Sequence, residues 1–543
     1  MPAPEIVRPP AVVLATLNAK YIHASLGLRC LLANMDLHGG AGLRAQTVLR
    51  EFVIAQRPTQ IVEDLLALAP KVIGLGVYIW NVAETTQVVR LLKALRPDIK
   101  IVLGGPEVSF EVEQQEICRL ADHVITGWGD VSFPKLCRAL LDGPKPLMKV
   151  IAGEQPALAE LAMPYGEYTA QDLAKRLLYV EASRGCPFKC EFCLSSLDKT
   201  AWAFDLDRFM AEVEALYQRG ARNFKFVDRT FNLKIDNSVR ILRFFLDRMA
   251  QSPDLFVHFE VVPDSLPDRL KALIAQFPAG ALQFEVGIQS FNPEVQQRVS
   301  RKQDNVKTAE NLRWLVNESR AHVHADLIFG LPGESLASFA EGFDKLYELA
   351  PHEIQFGVLK RLRGTPITRH SAAFGMVYDP QTPYTILQNT TVDFAAMQRI
   401  KRFARYWELV ANSGRFAASL KLLLAPGSAF HHFLAFSDWL WQTTGKTHEF
   451  ALEKLVDLLH EHLTAELGLV APAVRSALLA DYLASGARAR PACLADLLTV
   501  ARTPELVGAA RPRAERQGRH VNQLNQLDPA AHRDEIQKAA AAA

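Results

Sequence analysis

Three cysteines within eight residues, Cys186-Pro-Phe-Lys-Cys190-Glu-Phe-Cys193, are the residues of this 543-residue chain best equipped for chemistry. Thiolates are metal ligands and nucleophiles. A structural zinc site takes four protein ligands, commonly as two Cys-x2-Cys pairs. Here the spacing is three then two, with no fourth cysteine or obvious histidine nearby. Three thiolates leave one iron of a cubane [4Fe–4S] cluster without a protein ligand, and an open position is what reaction at a metal requires. The spacing therefore favours Cys186, Cys190 and Cys193 as cluster ligands. A non-catalytic zinc- or cluster-binding regulatory module is the alternative. Cys30, Cys118, Cys137 and Cys493 lie among apolar neighbours and read as small core residues. An odd total of seven, three of them packed together, is no disulfide framework and suits a reducing compartment.

The elements that must hold this loop can be read on either side of it. The chain is too long for one core. Continuous apolar runs at Val12–Thr16, Thr47–Ile54, Val72–Val77, Ile99–Leu103 and His123–Thr126 alternate with helical stretches such as Ala83–Leu95. Runs of this kind predict parallel strands covered on both faces, hence a doubly wound, flavodoxin-like sheet over residues 1–145, with ligands beyond the strands' carboxyl ends. Residues 146–175, proline-rich and weakly periodic, read as a linker. A second series, Leu178–Ala182, Asn223–Asp228, Leu255–Val261, Ala281–Ile288, His322–Phe329 and Glu353–Leu359, predicts a partial (β/α)6 barrel over 176–375. Its site would lie at the strands' C-terminal ends. Residues 376–503 read as helical, and 504–543, polar and rich in Arg and Ala, as a disordered tail.

Bulk properties exclude some classes. Lys and Arg number 61 against 59 Asp and Glu, a balance of +2 that gives no case for nucleic acid or an acidic membrane. No apolar run approaches the roughly 18 residues of a bilayer span. The start, MPAPEIVRPPAVVLATLNAK, lacks the layout of a signal peptide, so a cytoplasmic protein is expected.

Cys-x3-Cys-x2-Cys at the end of the first strand of a β/α barrel resembles the radical S-adenosylmethionine (SAM) superfamily. In that family SAM chelates the fourth iron, and an electron from the cluster cleaves it to a 5′-deoxyadenosyl radical; the electron comes from an external low-potential donor. Gly287-Ile-Gln289-Ser-Phe-Asn292, with Arg298 and Arg301 following, resembles the segment of oxygen-independent coproporphyrinogen oxidases that contacts SAM. The resemblance implies SAM contacts from Gln289 and Arg301, a ribose contact from Asp326 and an amine contact from Glu260. Val227-Asp228-Arg229-Thr230 stands where that family has a Gly-rich SAM turn, without its glycines. Phe192, between two ligands, would shield the cluster, line the adenine pocket or simply pack. Read from the residues alone, Glu260, Asp326 and Arg301 are surface ion pairs or turn caps; a charge inside an apolar strand is costly unless paired or ligand-bound.

A doubly wound domain before such a barrel resembles the cobalamin-dependent branch of the superfamily. Tyr78-Ile-Trp80-Asn81, Gly104-Gly105-Pro106-Glu107 and Gly127-Trp128-Gly129 look like its cobalamin loops, where small residues admit a large corrin. The Asp-x-His-x-x-Gly motif is absent, and His23 is one residue too far from Gly27 to replace it, so no protein imidazole on cobalt is expected. Together the resemblances imply methylation of an unactivated carbon of an unidentified substrate. Radical cyclisation, rearrangement or oxygenation without methyl transfer is the alternative.

Overall fold

The computed structural model describes residues 9–500 except Lys199. The expected tail at 504–543 lies outside the described residues. The first domain is a parallel sheet of β1 (Val12–Asn18), β2 (Thr47–Val53), β3 (Val72–Gly76), β4 (Lys100–Gly104), β5 (His123–Thr126) and β6 (Val150–Ala152), in the order β2-β1-β3-β4-β5-β6. Every residue of β1 and β3 is buried. The reason is the covering on both faces. Helices 58–67 and 82–95 pack one apolar cluster around Ile73 and Ile101, and helices 26–33 and 132–142 another around Leu14 and Val102. The order reverses at β1 and β3, which opens a crevice beyond their carboxyl ends.

The stretch expected to be a linker is built into both domains. It supplies β6 at the sheet edge and a helix, Ala170–Lys175, capped by Thr169. Tyr165 and Tyr168 are buried in the barrel's core, where their hydroxyls donate to the carbonyls of Glu181 and Tyr179. Its strand has three residues, too few for a readable period.

The barrel begins with β7 (Leu178–Val180) and a hairpin of β8 (Ser183–Gly185) and β9 (Ala201–Ala203). It continues through β10 (Asn223–Phe226), β11 (Phe256–Val261), β12 (Leu282–Gln289), β13 (His322–Phe329) and β14 (Glu353–Val358). The large sheet is parallel, in the order β14-β13-β12-β11-β10-β7. Along β12, Leu282, Phe284, Val286 and Ile288 are buried in the core, while Gln283, Glu285, Gly287 and Gln289 take the other face. That alternation is the period of a strand with one apolar face.

After a short hairpin, β15 (Val377–Tyr378) with β16 (Ile386–Gln388), the chain is helical from Phe394. Phe403, Trp407 and Phe430 pack edge-on against Phe343 of the barrel, and Phe403 lies tilted against Phe356 and stacked on Phe430. The C-terminal aromatics thus extend the barrel's core.

Candidate functional site

The cysteine loop leaves the barrel at the carboxyl end of its first strand. Gly185 starts it at φ +83°, and a Cβ there would lie 2.3 Å from the Thr200 carbonyl, so only glycine fits. Cys186 and Cys190 are buried, Cys193 is half-buried, and none is in a disulfide. The loop is fixed by the residue between two of the thiols. Buried Glu191 accepts from Ser300 Oγ at 2.5 Å, His370 Nε2 at 2.7 Å and Arg369, while its backbone N–H donates to the Val299 carbonyl at 3.0 Å. Cys186 Sγ lies 4.0 Å from Thr230 Oγ1, and Cys190 Sγ 3.7 Å from Arg301 Nη1. Burial pushes both thiols up; at Cys190 the Arg301 charge opposes it. Among the described residues no three His, Cys, Asp or Glu side chains converge on a point close enough for one metal ion. Three free thiols on one clamped loop are the donor set of a [4Fe–4S] cluster with one iron left without a protein ligand.

The residues expected to meet SAM fall into two groups. Gln289, Asp326 and Glu260 are on the inner face of the barrel sheet. Gln289 ends β12 at φ +69°, beyond a bulge in its pairing with β13. A Cβ on Gly287 would lie 2.6 Å from Gln289 Nε2, so this glycine makes room for the amide. A left-handed glutamine is strained, and such strain persists only where its surroundings fix it. Asp326 Oδ1 is buried without a hydrogen bond, 3.3 Å from His324 Nε2. Burial raises the Asp326 pKa against the His324 charge. Burial also opposes charge on His324, yet Asp326 and Glu353 hold its pKa above the usual value. Glu260 lies 3.4 Å from Arg229, and burial raises its pKa. An acceptor without a donor beside a left-handed amide is a fit for a hydroxylated, amine-bearing ligand such as SAM.

The other group is occupied within the protein. Asp228 accepts from the Ala182 N–H at 2.9 Å and the Ser183 hydroxyl at 2.6 Å, anchoring the chain that leads into the cysteine loop; burial lifts its pKa to about 7. Phe192 packs against the apolar core. Arg301 donates to the Gly287 carbonyl and to Gln303 Oε1 as well as approaching Cys190.

Sequence reading missed the rest of the inner face. Lys225 (β10), His258 (β11), Glu285 (β12), His324 (β13) and Glu353 (β14) form a belt of charge there. Glu285 lies 3.3 Å from His258 and 3.4 Å from Lys225. Burial would raise its pKa, but the His258 hydrogen bond and Lys225 bring it down to about 2. The available signal was a titratable residue at alternate positions of otherwise apolar strands.

The first domain holds a cavity of about 290 Å3 beyond β3, β4 and β5, bordered by Gly76, Gly104, Gly105, Gly127 and Gly129 and lined on one side by Glu181 and Arg184 from the barrel. Gly105, at φ +112°, approaches so closely that a Cβ would lie 2.4 Å from the Val77 carbonyl; Gly127, at φ +75°, faces open space. Ser109 Oγ joins the two glycine turns, donating to the Gly105 carbonyl and accepting from the Gly127 N–H. Tyr78 and Trp80 stack 4.4 Å apart, and the indole is exposed. Exposed Pro106 follows the turn. The glycine-walled hollow has room for the tail of a large planar group such as cobalamin, with the ring left outside it.

Two loop residues are corrected. Asn81 was expected to face cobalamin but is fully buried. It accepts from the Tyr78 N–H at 2.8 Å and donates to the Leu17 and Gly76 carbonyls, so it shapes the loop from within. Buried Glu107 points at the barrel, accepting from Arg363 Nε at 2.9 Å and the Tyr384 hydroxyl at 2.7 Å. His23 hydrogen-bonds the Tyr179 hydroxyl at 2.7 Å, a second tie between the domains. On the opposite flank, Arg184, two residues before Cys186, pairs with Asp130 at 3.0 Å and with Glu181 at 2.8 Å.

Comparison with known proteins accords with this division. Residues 180–346 match the radical SAM superfamily. The barrel is therefore a radical SAM domain. Residues 12–137 match the B12 binding domain, and 372–541 a protein of unknown function (DUF4080). The chain thus joins a B12 binding domain to a radical SAM domain, and the two imply a [4Fe–4S] cluster and SAM for the barrel and cobalamin for the first domain.

Over 347 residues the chain is 25% identical to a 2-(S-pantetheinyl)-carbapenam-3-carboxylate methyltransferase of Streptantibioticus cattleyicolor, covering 56% of this chain and 50% of that protein. It thus spans about half the length of the curated relatives it matches. The fold is that of TsrM from Kitasatospora setae, a radical SAM methyltransferase solved with cobalamin and a [4Fe-4S] cluster (TM-score 0.57, 15% identity, 80% of this chain and 99% of that one). It is also that of the cobalamin-dependent SAM radical enzyme OxsB (TM-score 0.58, 12% identity, 95% and 84%). No helix among the described residues is long and apolar enough to cross a membrane.

Proposed function

We propose that this protein methylates an unactivated carbon of its substrate by radical chemistry in a reducing cytoplasm, drawing electrons from an external low-potential donor. With its groups bound, the site supplies an electron that cleaves SAM to a 5′-deoxyadenosyl radical, hydrogen abstraction from the substrate, and a methyl group carried by cobalamin. Cys186, Cys190 and Cys193 hold the cluster and leave one coordination position open. Gln289, Asp326 and Glu260 orient SAM from the inner face. Gly105 and Gly127 admit the corrin tail, and Tyr78 and Trp80 offer it a flat aromatic surface.

The observation that carries this reading is the closeness of the two sites. Arg184 lines the glycine-walled cavity, and two residues later Cys186 opens the cysteine loop. The methylating relatives support the finer statement.

The test is anaerobic reconstitution with iron, sulfide and hydroxocobalamin, then assay for 5′-deoxyadenosine after reduction in the presence of SAM. Replacing Cys186, Cys190 and Cys193 together by Ala should abolish deoxyadenosine and leave cobalamin uptake nearly intact. Loss of both would contradict the assignment of the two domains. A product heavier by 14 Da marks methylation, and a radical product without that gain would favour cyclisation or rearrangement.

A further inference from the structure

His324 stands at the centre of the charged belt. Across the sheet it lies level with Glu285 of β12 on one side and Glu353 of β14 on the other, and Asp326 is two residues along its own strand. Side chains level on neighbouring strands, or two apart on one strand, share a face. One imidazole thus sits among three carboxylates. Glu285 is matched by His258 at 3.3 Å and Lys225 at 3.4 Å. The other two are met by the two ring nitrogens of His324: Nε2 is 3.3 Å from Asp326 Oδ1, and Nδ1 is 3.8 Å from Glu353 Oε2. Glu353 is held in turn, with Oε1 3.0 Å from His322 Nε2; those two side chains are only 6% and 4% exposed, so packing fixes this end of the series. Asp326 stays 21% exposed and open to the lumen.

A carboxylate on one ring nitrogen sets the tautomer and orientation of an imidazole, and with them what its other nitrogen presents. Among the described residues His324 is the one ion-pair partner of Asp326. With Oδ1 turned to the ring, Oδ2 is left to accept from a ligand. Burial pushes the Asp326 pKa up, towards a form that has lost part of its capacity to accept, and His324 is the largest opposing influence. We propose that His324 is a positioning residue for SAM: braced by Glu353, it holds the Asp326 carboxylate in the orientation and charge that accept from the ligand's ribose hydroxyls. The inference rests on Asp326 meeting SAM. It assigns to His324 and Glu353 a part that neither plays by touching the ligand.

The experiment is equilibrium binding to the anaerobically reconstituted holoprotein of two probes, SAM and its analogue lacking the ribose 2′- and 3′-hydroxyls. Wild type should bind SAM about tenfold more tightly than the analogue, the worth of a hydrogen bond to a charged group. H324L removes donor and charge together; it should bind SAM about tenfold more weakly and the analogue within about twofold of wild type, a coupling between a side chain and hydroxyls it does not touch. H324Q keeps an N–H near the place of Nε2 and should return SAM affinity to within about threefold of wild type. E353Q keeps His324 but weakens its brace, and should lose about threefold for SAM and nothing for the analogue. Equal losses for the two probes in H324L would mean that His324 merely fills the lumen, and would overturn the proposal. Unchanged SAM affinity in H324L would overturn it too. Should H324L fail to load a cluster, E353Q against wild type still decides, because a loss shared by both probes, or none for either, is excluded by the proposal. Wild type that binds both probes equally would sink the reading of Asp326 as a SAM contact, an outcome recognisable before any variant is measured.

Discussion

The chain folds two six-stranded parallel sheets in succession, and they divide their faces in opposite ways. In the first, β1 and β3 bury every residue, because helices cover both sides. Nothing polar can work within such a sheet, so its site is displaced to the glycine turns beyond the strand ends. In the second, helices cover only the outer face. Curvature turns the other face into a lumen, where Lys225, His258, Glu260, Glu285, His324 and Asp326 stand on the strands themselves. One architecture presents a ligand with backbone and shape, the other with fixed charge. That suits a bulky, preformed cofactor in the first case and a small, charged one in the second.

The largest expected effect tests this division directly. Ile73 is fully buried in the first sheet, and Gln355 lies exposed on the inner face of β14. Ile73→Glu should cost about 5 kcal/mol through an unpaired buried carboxylate and lost apolar contact, and unfold the first domain. Gln355→Glu should stay within about 0.5 kcal/mol. Thermal unfolding followed by circular dichroism decides; similar costs for the two would mean the inner face is not an open lumen.

A smaller change addresses the glycine turns. Gly105→Ala forces a side chain into the left-handed region and against the Val77 carbonyl. The loop must shift, at about 3 kcal/mol. Cobalamin uptake should fall by more than tenfold while the iron–sulfur absorption of the reconstituted protein is unchanged. Parallel loss of both absorptions would show that the turns also support the barrel.

How much of this was legible in the sequence follows from the same contrast. The first sheet could be read because Val12–Leu17 and Val72–Val77 are unbroken apolar runs with one explanation. The barrel strands were legible from their outer faces, Phe224, Phe259, Phe284 and Val323. Their inner residues gain meaning only when the strands curve, so Lys225, His258, Glu285 and His324 went unnoticed. Loop motifs located the cavity but not side-chain direction: Asn81 turns inward to cap its own loop, and Glu107 reaches the barrel. Glu191, inside the cysteine motif, finds Ser300, Arg369 and His370 more than a hundred residues away, a pairing no local spacing announces. The three cysteines needed no tertiary information, because their spacing is itself the signal.

Two carboxylates of the barrel sharpen the picture of how charge is kept in the lumen. Glu285 has His258 and Lys225 and a pKa near 2; buried Glu334 has only the Ser290 hydroxyl, and burial lifts its pKa to about 7 from 4.5. Folded Glu334 therefore holds a proton that the unfolded chain releases. Its contribution is fully present below pH 4.5 and is lost as pH rises to about 7, by roughly 3 kcal/mol. Glu334→Gln has no proton to lose. Its melting temperature should gain on wild type steadily from pH 4.5 to 7 and run parallel above, as differential scanning fluorimetry across that range would report. A difference independent of pH would mean that Glu334 has a partner in solution.

The smallest effect concerns what joins the two sheets. Arg363 reaches Glu107 at 2.9 Å and Glu111 at 2.6 Å, and Arg361 reaches Glu111 at 2.8 Å, so the turn after β4 is held to the segment after β14. Losing one partner of a fully buried pair costs several kcal/mol. Here Tyr384 still donates to Glu107 and Arg361 still holds Glu111, so Arg363→Met should cost about 1 kcal/mol. The sharper readout is functional. The clasp fixes the loop that carries Gly105, so the variant should bind cobalamin a few-fold more weakly, while deoxyadenosine formed per cluster in the absence of substrate stays at the wild-type level. That separation is expected because the cysteine loop has its own clamp, Glu191, on the barrel side. If deoxyadenosine formation fell with cobalamin affinity, the two sheets would be energetically one site, and their separate ways of presenting ligands would describe geometry without describing function.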